Sequence, residues 1–316
     1  MAISDLVLGT MYFGTRTDEP AAHALLDQFV EAGGRTIDTA NCYSFWSSDT
    51  GHGGQSEPVI GSWLQARGAR DDVEIATKVG AEPISPFTPE HGITGTEGLS
   101  AEVVRRELGR SLERLGTDHL DLYWAHIPDP TTPADEVGRT FGAVAAEGLT
   151  RRVGLSNFPA WQVEQARQAA AADGLPAVDA IQLTTSYVSP RPDTPVEGKD
   201  NPYGWVTADT LSYLDARPGT ELWVYSPLVL GAYTRRQERP FPRAYDHPAT
   251  TARLAVLDVV AAETGLDAGQ VVLAWMLARG WRPIIGASRG EQLASALDAA
   301  RAELTADQLG RLDEAG

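Results

Sequence analysis

The sequence predicts a closed barrel of eight parallel strands, each followed by a helix that packs outside. Three observations lead to this prediction. Short apolar strands alternate with helical patterns along the whole chain, the longest connections follow strands, and side chains suited to proton transfer stand at the ends of successive strands. Eight uninterrupted strand–helix units favour a closed barrel over an open sheet.

Local patterns place each element. Apolar and β-branched runs predict strands at residues 6–9, 36–39, 73–78, 120–125, 153–155, 178–183, 222–225 and 283–285. Apolar spacing of three and four, the cap residue Ser100 and the stop at Gly33 mark helices. These are expected at residues 20–32, 57–67, 100–115, 133–147, 161–172, 207–216, 251–264, 268–278 and 291–300, with a last one starting near residue 305.

The chain of 316 residues suits one barrel with long loops. No Pro/Gly/Ser-rich linker or charge block divides it, so we predict a single domain over residues 1–316. The long connections 44–55, 80–99, 185–206 and 227–250 all follow strands. They therefore meet at the carboxyl-terminal face of the barrel, where barrel active sites form.

Composition excludes several classes of protein. The net charge of −17 repels nucleic acid and anionic lipid, so neither is an expected partner. No apolar run reaches the roughly 18 to 20 residues of a membrane span, and the start lacks the basic residues of a secretory signal. The one cysteine, Cys42, excludes an internal disulfide and a multi-cysteine metal site. We therefore expect a cytoplasmic protein.

Four side chains form the candidate catalytic group. Asp38 lies near the end of the second strand, Tyr43 follows five residues later, and Lys78 and His126 end the third and fourth strands. Lys78 is one of only two lysines among 26 basic residues, the other being Lys199. Each of the four alone has a structural explanation, such as a turn cap or a loop aromatic. Together they indicate a proton-transfer site.

These residue types fit the reduction of a carbonyl group. A nicotinamide hydride leaves an alkoxide, which must be protonated as it forms. Tyr43 could supply the proton, and a neighbouring Lys78 ammonium would lower its pKa from about 10. Asp38 would orient Lys78, and His126 would polarise the substrate oxygen.

The sequence contains neither a Gly-x-Gly-x-x-Gly motif after a strand, nor a phosphate-binding P-loop, nor a His-Glu-x-x-His zinc motif. A dinucleotide would therefore be held by barrel loops and helix amino termini. The segments after strands 7 and 8 occupy the usual phosphate region of such barrels.

Ordered motifs across nearly the whole chain resemble the aldo–keto reductase family. They include Ile37-Asp38-Thr39-Ala40-Asn41-Cys42-Tyr43, Ala76-Thr77-Lys78, Trp124-Ala125-His126, Gly154-Leu155-Ser156-Asn157, Tyr225-Ser226-Pro227-Leu228 and Gly286-Ala287-Ser288-Arg289. The resemblance implies the same four catalytic roles. It also implies a cofactor site built from Gly9, Thr10, Met11, Asp38, Ser156, Asn157, Gln182, Tyr225, Ser226, Pro227, Leu228, Gly231, Gly286, Ala287, Ser288, Arg289 and Gln292. Arg289 could bind a ribose 2′-phosphate, which favours NADP(H) and leaves NAD(H) possible.

The chain departs from the family pattern in three places. Thr185 stands where a tyrosine usually stacks under the nicotinamide, with Tyr187 two residues on as a possible substitute. Ala296 replaces a usual adenosine contact. The first strand starts without the usual amino-terminal hairpin, which leaves open what closes the bottom of the barrel.

A small-molecule carbonyl compound is the expected partner. Tyr12, Phe45, Trp46 and Trp124 follow or end early strands and would form an aromatic pocket wall. The leading prediction is NADPH-dependent reduction of an aldehyde or ketone. The alternatives are dehydrogenation of an alcohol or sugar in the reverse direction, a slow nicotinamide-binding regulatory barrel like the potassium-channel beta subunits, and a barrel isomerase or aldolase.

Overall fold

A computed structural model describes residues 3–197, 199 and 203–315 of the chain. Its eight parallel strands form a closed barrel in chain order, and the eighth pairs with the first. The predicted fold class is confirmed. The strands are β1 Val7–Gly9, β2 Thr36–Asp38, β3 Glu74–Val79, β4 Leu120–Ala125, β5 Thr150–Ser156, β6 Ala180–Thr184, β7 Glu221–Tyr225 and β8 Arg282–Gly286.

Ten helices of the described chain surround the barrel. They are α1 Glu19–Glu31, α2 Ser56–Arg67, α3 Ala101–Leu115, α4 Ala134–Ala146, α5 Ala160–Ala172, α6 Ala208–Ala216, α7 Pro248–Thr264, α8 Ala268–Ala278, α9 Gly290–Arg301 and α10 Ala306–Glu314. Within residues 3–197, 199 and 203–315, no helix combines the length and the apolar character that a bilayer span requires.

The largest strand-boundary difference from the sequence prediction lies in β5, which begins three residues before the predicted start at residue 153. Its second and third residues are the arginines Arg151 and Arg152, which hide the apolar strand pattern. Arg151 pairs with Asp121 at 3.0 Å, and Arg152 pairs with Asp179 at 2.9 Å. These ion pairs suit a strand end that reaches the lower rim of the barrel.

Two tryptophans fill the barrel interior. The rings of Trp124 on β4 and Trp223 on β7 meet edge to face with their centres 5.2 Å apart. Gly154 on β5 leaves room for this pair, because a Cβ atom there would lie 2.3 Å from the Trp124 ring. The smaller members of this interior cluster are Val7, Ala76, Leu122, Ala180 and Ile284.

An arginine on β8 closes the bottom of the barrel, where the sequence left the closure open. The Arg282 guanidinium lies 4.7 Å from the centre of the Trp223 ring. It donates hydrogen bonds to the Thr36 hydroxyl at 2.7 Å, to Glu221 at 3.3 Å and to a carbonyl of the short 3-10 turn Ile3–Asp5 at 3.1 Å. A planar cation with fixed hydrogen bonds therefore seals the tryptophan core from below.

We predict that Arg282→Ala destabilises the fold by about 1–3 kcal/mol, since it removes charge-assisted hydrogen bonds and uncovers a buried ring. Urea unfolding at neutral pH measures the loss. Arg301→Ala is the matched control, because Arg301 pairs with Asp298 on an exposed helix face, where the pair contributes at most about 1 kcal/mol. Equal losses in the two variants would contradict the closing role of Arg282.

Candidate active site

The phenol of Tyr43, the ammonium of Lys78 and the carboxylate of Asp38 meet at the upper mouth of the barrel. Lys78 Nζ donates to Asp38 Oδ2 and to the Tyr43 hydroxyl, each at 2.5 Å. The Tyr43 hydroxyl in turn donates to Asp38 Oδ2 at 2.9 Å. Lys78 and Asp38 are fully buried, whereas Tyr43 is partly exposed. The three predicted residues therefore form one hydrogen-bonded triangle with the phenol on its open side.

The surroundings fix both charged members of the triangle. Lys78 also donates to the Thr39 carbonyl at 2.7 Å, which satisfies a third ammonium hydrogen. Gln182 on β6 donates to Asp38 Oδ1 at 3.1 Å, so the carboxylate has partners on both oxygens. Burial lowers the pKa of Lys78 against the opposing effect of Asp38. Full hydrogen bonding is what allows such a pair to stay inside a protein.

The pKa of Tyr43 differs from the sequence expectation. Burial, followed by the Asp38 charge, raises the phenol pKa well above its usual value, whereas a neighbouring lysine was expected to lower it. The physical reason is that Asp38 accepts the phenolic hydrogen bond and opposes a second negative charge. Tyr43 is therefore held in its protonated form.

His126 lies beside Tyr43 with the ring centres 5.9 Å apart. Burial, and secondly the Lys78 charge, lowers the pKa of this half-buried imidazole to about 3. The ring is therefore neutral at physiological pH. Its Nδ1 lies 4.0 Å from Cys42 Sγ, and burial raises the pKa of that thiol. Cys42 is thus a buried, protonated thiol next to the site.

Backbone geometry positions the loop that carries Tyr43. Ser44 has a left-handed φ of 61° and donates from its hydroxyl to the Met11 carbonyl at 2.5 Å. Gly53 packs under the loop with φ of 77°, and a Cβ there would lie 2.4 Å from the Cys42 carbonyl oxygen. Such strained positions persist only where the surrounding structure enforces them. The phenol is therefore held by contacts with β1 and with the following loop.

A chain of polar groups continues from His126 across β5 to β7. Asn157, with a left-handed φ of 65°, donates to the His126 carbonyl at 2.9 Å and to the Ser156 hydroxyl at 3.1 Å. Tyr225 donates from its hydroxyl to Asn157 Oδ1 at 2.7 Å. The structure thus brings Ser156, Asn157 and Tyr225 together with Gln182 on the β5–β7 side of the mouth.

The segment after β7 has an unusual backbone. Ser226, Val229 and Leu230 all have left-handed φ values, of 55°, 45° and 56°, although none is glycine. Gly231 follows with φ of 86°. Backbone of this kind costs about 1–3 kcal/mol per residue and concentrates at ligand sites. The predicted cofactor residues Pro227 and Leu228 lie inside this segment.

The segment after β8 leads into the amino terminus of α9. Arg289 is the cap residue of that helix and is exposed, and the Gln292 side chain accepts hydrogen bonds from the Ser288 backbone and hydroxyl at 3.0 and 3.1 Å. Gly286 and Ala287 connect β8 to this helix start. A helix amino terminus with an exposed guanidinium beside it suits a phosphate group.

Two predicted cofactor residues, Gly9 at the end of β1 and Thr10 directly after it, also have packing and hydrogen-bond contacts within the fold. The Thr10 side chain is fully buried, and its hydroxyl bonds to the Asp38 carbonyl at 3.0 Å and to Ser56 at 2.7 Å. Gly9 is required by packing, because a Cβ there would lie 2.8 Å from Ile284. Thr10 therefore offers no side-chain atom to a ligand at the mouth.

Two aromatic residues also lie away from their expected places. Trp124 was expected in the pocket wall, but it belongs to the fully buried barrel interior below the mouth. Tyr187 does not replace a ring at Thr185, because it is buried against Trp275 and donates to the Leu312 carbonyl at 3.1 Å. Both side chains are buried in the packed interior of the protein. Their positions in the sequence did not indicate this.

The remaining predicted pocket residues lie together beside β1 and β2. Phe45 and Trp46 meet edge to face at 4.8 Å, and Trp46 is 40% exposed. Phe87 packs on Phe45 with the ring centres 5.5 Å apart. The Arg16 guanidinium lies 4.5 Å from the centre of the Tyr12 ring. Sequence reasoning missed Phe87 and Arg16, because they come from loops whose path no local pattern predicts.

Sequence reasoning also missed the position of the second lysine. Lys199 comes from the long loop after β6 and donates to the Ser226 hydroxyl at 3.2 Å. Its ammonium lies 4.0 Å from the centre of the Tyr225 ring. The scarcity of lysine was the signal that could have drawn attention to it, since both lysines of the chain reach the same mouth.

Comparison with known proteins agrees with this architecture. The model of the Aldo/keto reductase family matches residues 5–316. Oxidoreductase YrpG of Bacillus subtilis is 40% identical over 168 residues, which is 53% of this chain and 49% of that protein. Norsolorinic acid reductase stcV of Emericella nidulans is 36% identical over 55% of this chain and 44% of its own length.

The alignments with these two relatives thus span about half of their length. The 6-dehydroglucose reductase of Agrobacterium fabrum is 27% identical over 95% of this chain and 90% of its own length. Because the family model extends from residue 5 to residue 316, the chain belongs to the aldo/keto reductase family.

Proposed function

We propose that the protein, acting as a single domain of residues 1–316, reduces an aldehyde or ketone with NADPH. Tyr43 is the general acid, assisted by Lys78, Asp38 and His126. The observation that carries the proposal is the partly exposed Tyr43 phenol in 2.5 Å contact with a fully buried ammonium. Family membership and reductases among the relatives support the same reaction class.

The hydrogen-bonded triangle explains how Tyr43 transfers its proton to the substrate. The Tyr43 hydroxyl donates its hydrogen to Asp38 Oδ2. A substrate alkoxide is a stronger base than this carboxylate and takes over as acceptor. As the proton leaves Tyr43, the Lys78 ammonium in contact with its oxygen stabilises the phenolate that forms. Asp38 keeps the ammonium in place throughout.

His126 acts on the carbonyl oxygen. Its neutral ring has one nitrogen near the Cys42 thiol, and that thiol can donate to Nδ1. The ring proton then resides on Nε2, from which it can be donated to the substrate. This hydrogen bond strengthens as negative charge develops on the oxygen.

The residues on the β5–β8 side fit a nicotinamide dinucleotide, which supplies a hydride when bound. Ser156, Asn157 and Gln182 present neutral hydroxyl and amide groups suited to a carboxamide. The left-handed segment at Ser226 and the start of α9 suit phosphates. The exposed Arg289 favours NADP(H), because a guanidinium pairs with a 2′-phosphate.

The substrate class follows from the aromatic wall. Tyr12, Phe45 and Trp46, with Phe87, line the side of the mouth nearest Tyr43. Such a wall suits an aromatic or ring-shaped carbonyl compound. Two of the relatives are named as reductases of norsolorinic acid and of 6-dehydroglucose.

We predict that Tyr43→Phe lowers kcat by about 10²–10⁴-fold, the contribution of a positioned general acid. NADPH affinity should stay within about threefold, since the ring is retained. The measurement is steady-state reduction of an activated aromatic aldehyde together with fluorescence titration of NADPH. Tyr213→Phe, which removes a hydroxyl bonded to Glu164 at 3.1 Å on the outer helices, serves as control. A fully active Tyr43→Phe variant would refute the assignment.

We also predict that His126 makes stability fall as the pH drops from about 6.5 towards 5. The pKa of His126 in the folded state is lowered to about 3. Below about pH 6.5 the unfolded chain therefore binds a proton at this histidine, whereas the folded chain does not. The contribution of this group over that range is up to about 2 kcal/mol. Urea unfolding of wild type and His126→Gln at pH 7.5 and 5 measures it. The variant should lose less stability on acidification, and exposed His91→Gln should behave as wild type.

A further inference from the structure

Lys199 is a cation without a counter-charge in the part of the chain that is described. Its ammonium contacts the Ser226 hydroxyl and the Tyr225 ring, and no carboxylate of residues 3–197, 199 and 203–315 forms an ion pair with it. Burial lowers its pKa to about 8. Among the described residues this partly buried ammonium contacts one hydroxyl and one ring, so these residues use only one of its three N–H donors. Such a group is suited to an incoming anion.

The position of Lys199 in the barrel indicates which anion its ammonium would bind. In the closed barrel β7 neighbours β6 and β8 and lies across the mouth from β3, which carries Lys78. Lys199 therefore sits opposite the proton-donating residues and next to the left-handed segment that begins at Ser226. The aromatic wall at Phe45 and Trp46 follows β2, on the far side of the mouth. The ammonium thus belongs to the dinucleotide half of the site.

The electrostatic need for such a residue is clear. The protein carries a net charge of −17, which repels a polyanionic dinucleotide. Arg289 stands at the start of α9, after β8, and Lys199 reaches the segment after β7. Two cations on neighbouring segments would offset the unfavourable field along the length of the ligand.

We propose that Lys199 is a further cofactor-binding residue, whose ammonium pairs with the diphosphate of the dinucleotide beside Ser226. This inference rests on the proposed function and deepens it. The loop after β6 thereby contributes a charged group to a site otherwise built from the ends of β5 to β8 and the segments that follow β7 and β8. The bond is charge-assisted and partly shielded from water, so it should contribute measurably to affinity.

The test compares wild type, Lys199→Gln and Lys199→Arg with a matched control, Arg191→Gln. Arg191 lies in the same loop, pairs with Asp193 at 3.8 Å and loses the same charge. Fluorescence titration of NADPH should give a Kd about tenfold higher in Lys199→Gln, with a weaker dependence on salt. Lys199→Arg should recover part of the affinity, and Arg191→Gln should match wild type. The KM for a neutral aldehyde at saturating NADPH should not change.

In a second experiment, inorganic pyrophosphate is titrated into the protein and its binding is measured by calorimetry. Binding to wild type and its loss in Lys199→Gln would support the ammonium–diphosphate contact even if NADPH failed to bind, which would overturn only the proposed function. An unchanged NADPH Kd in Lys199→Gln, with KM raised for a carboxylate-bearing aldehyde alone, would overturn the inference and place the ammonium on the substrate. Absence of pyrophosphate and NADPH binding in wild type would overturn both. Circular dichroism of each variant establishes that it is folded.

Discussion

The buried pair of Lys78 and Asp38 is the interaction on which the rest of the site depends. Removing two charges from water costs several kcal/mol per ion, and attraction repays this only when every hydrogen bond is made. The barrel meets that condition with the Thr39 carbonyl, Gln182 and the Tyr43 hydroxyl. Tyr43 thus completes the hydrogen bonding of the pair and holds its phenol against the buried ammonium.

The same requirement explains the division of the mouth into two halves. The side formed by β2 to β4 carries the buried pair, the neutral His126 and an aromatic wall, all suited to a small carbonyl compound. The side formed by β5 to β8 carries amides, strained backbone and the cation Lys199, which suit a long anion. An acidic protein binds such an anion where local positive groups offset its net charge, and Lys199 and Arg289 are such groups on this side of the mouth.

Much of this arrangement could be predicted because parallel strands in a barrel end at one face. Asp38, Lys78 and His126 could be placed from strand ends alone. Trp124 could not, since it faces the barrel interior two residues before His126 and therefore lies one layer below the mouth. The direction of the Tyr43 pKa was missed because it depends first on burial of the phenol and then on the nearby Asp38 charge, which require the tertiary structure. Lys199 lies in a long loop whose path depends on tertiary contacts that no local pattern encodes.

The central claim is that Lys78 and Tyr43 act as one proton-transferring unit. Single-turnover reduction of an aromatic aldehyde by enzyme saturated with NADPH, in Lys78→Met, Tyr43→Phe and the double variant, tests it directly. If the pair acts as a unit, the double variant is hardly slower than the slower single variant, because either change already removes the function of both. Losses that multiply in the double variant would mean that the two side chains contribute independently, which would contradict the account.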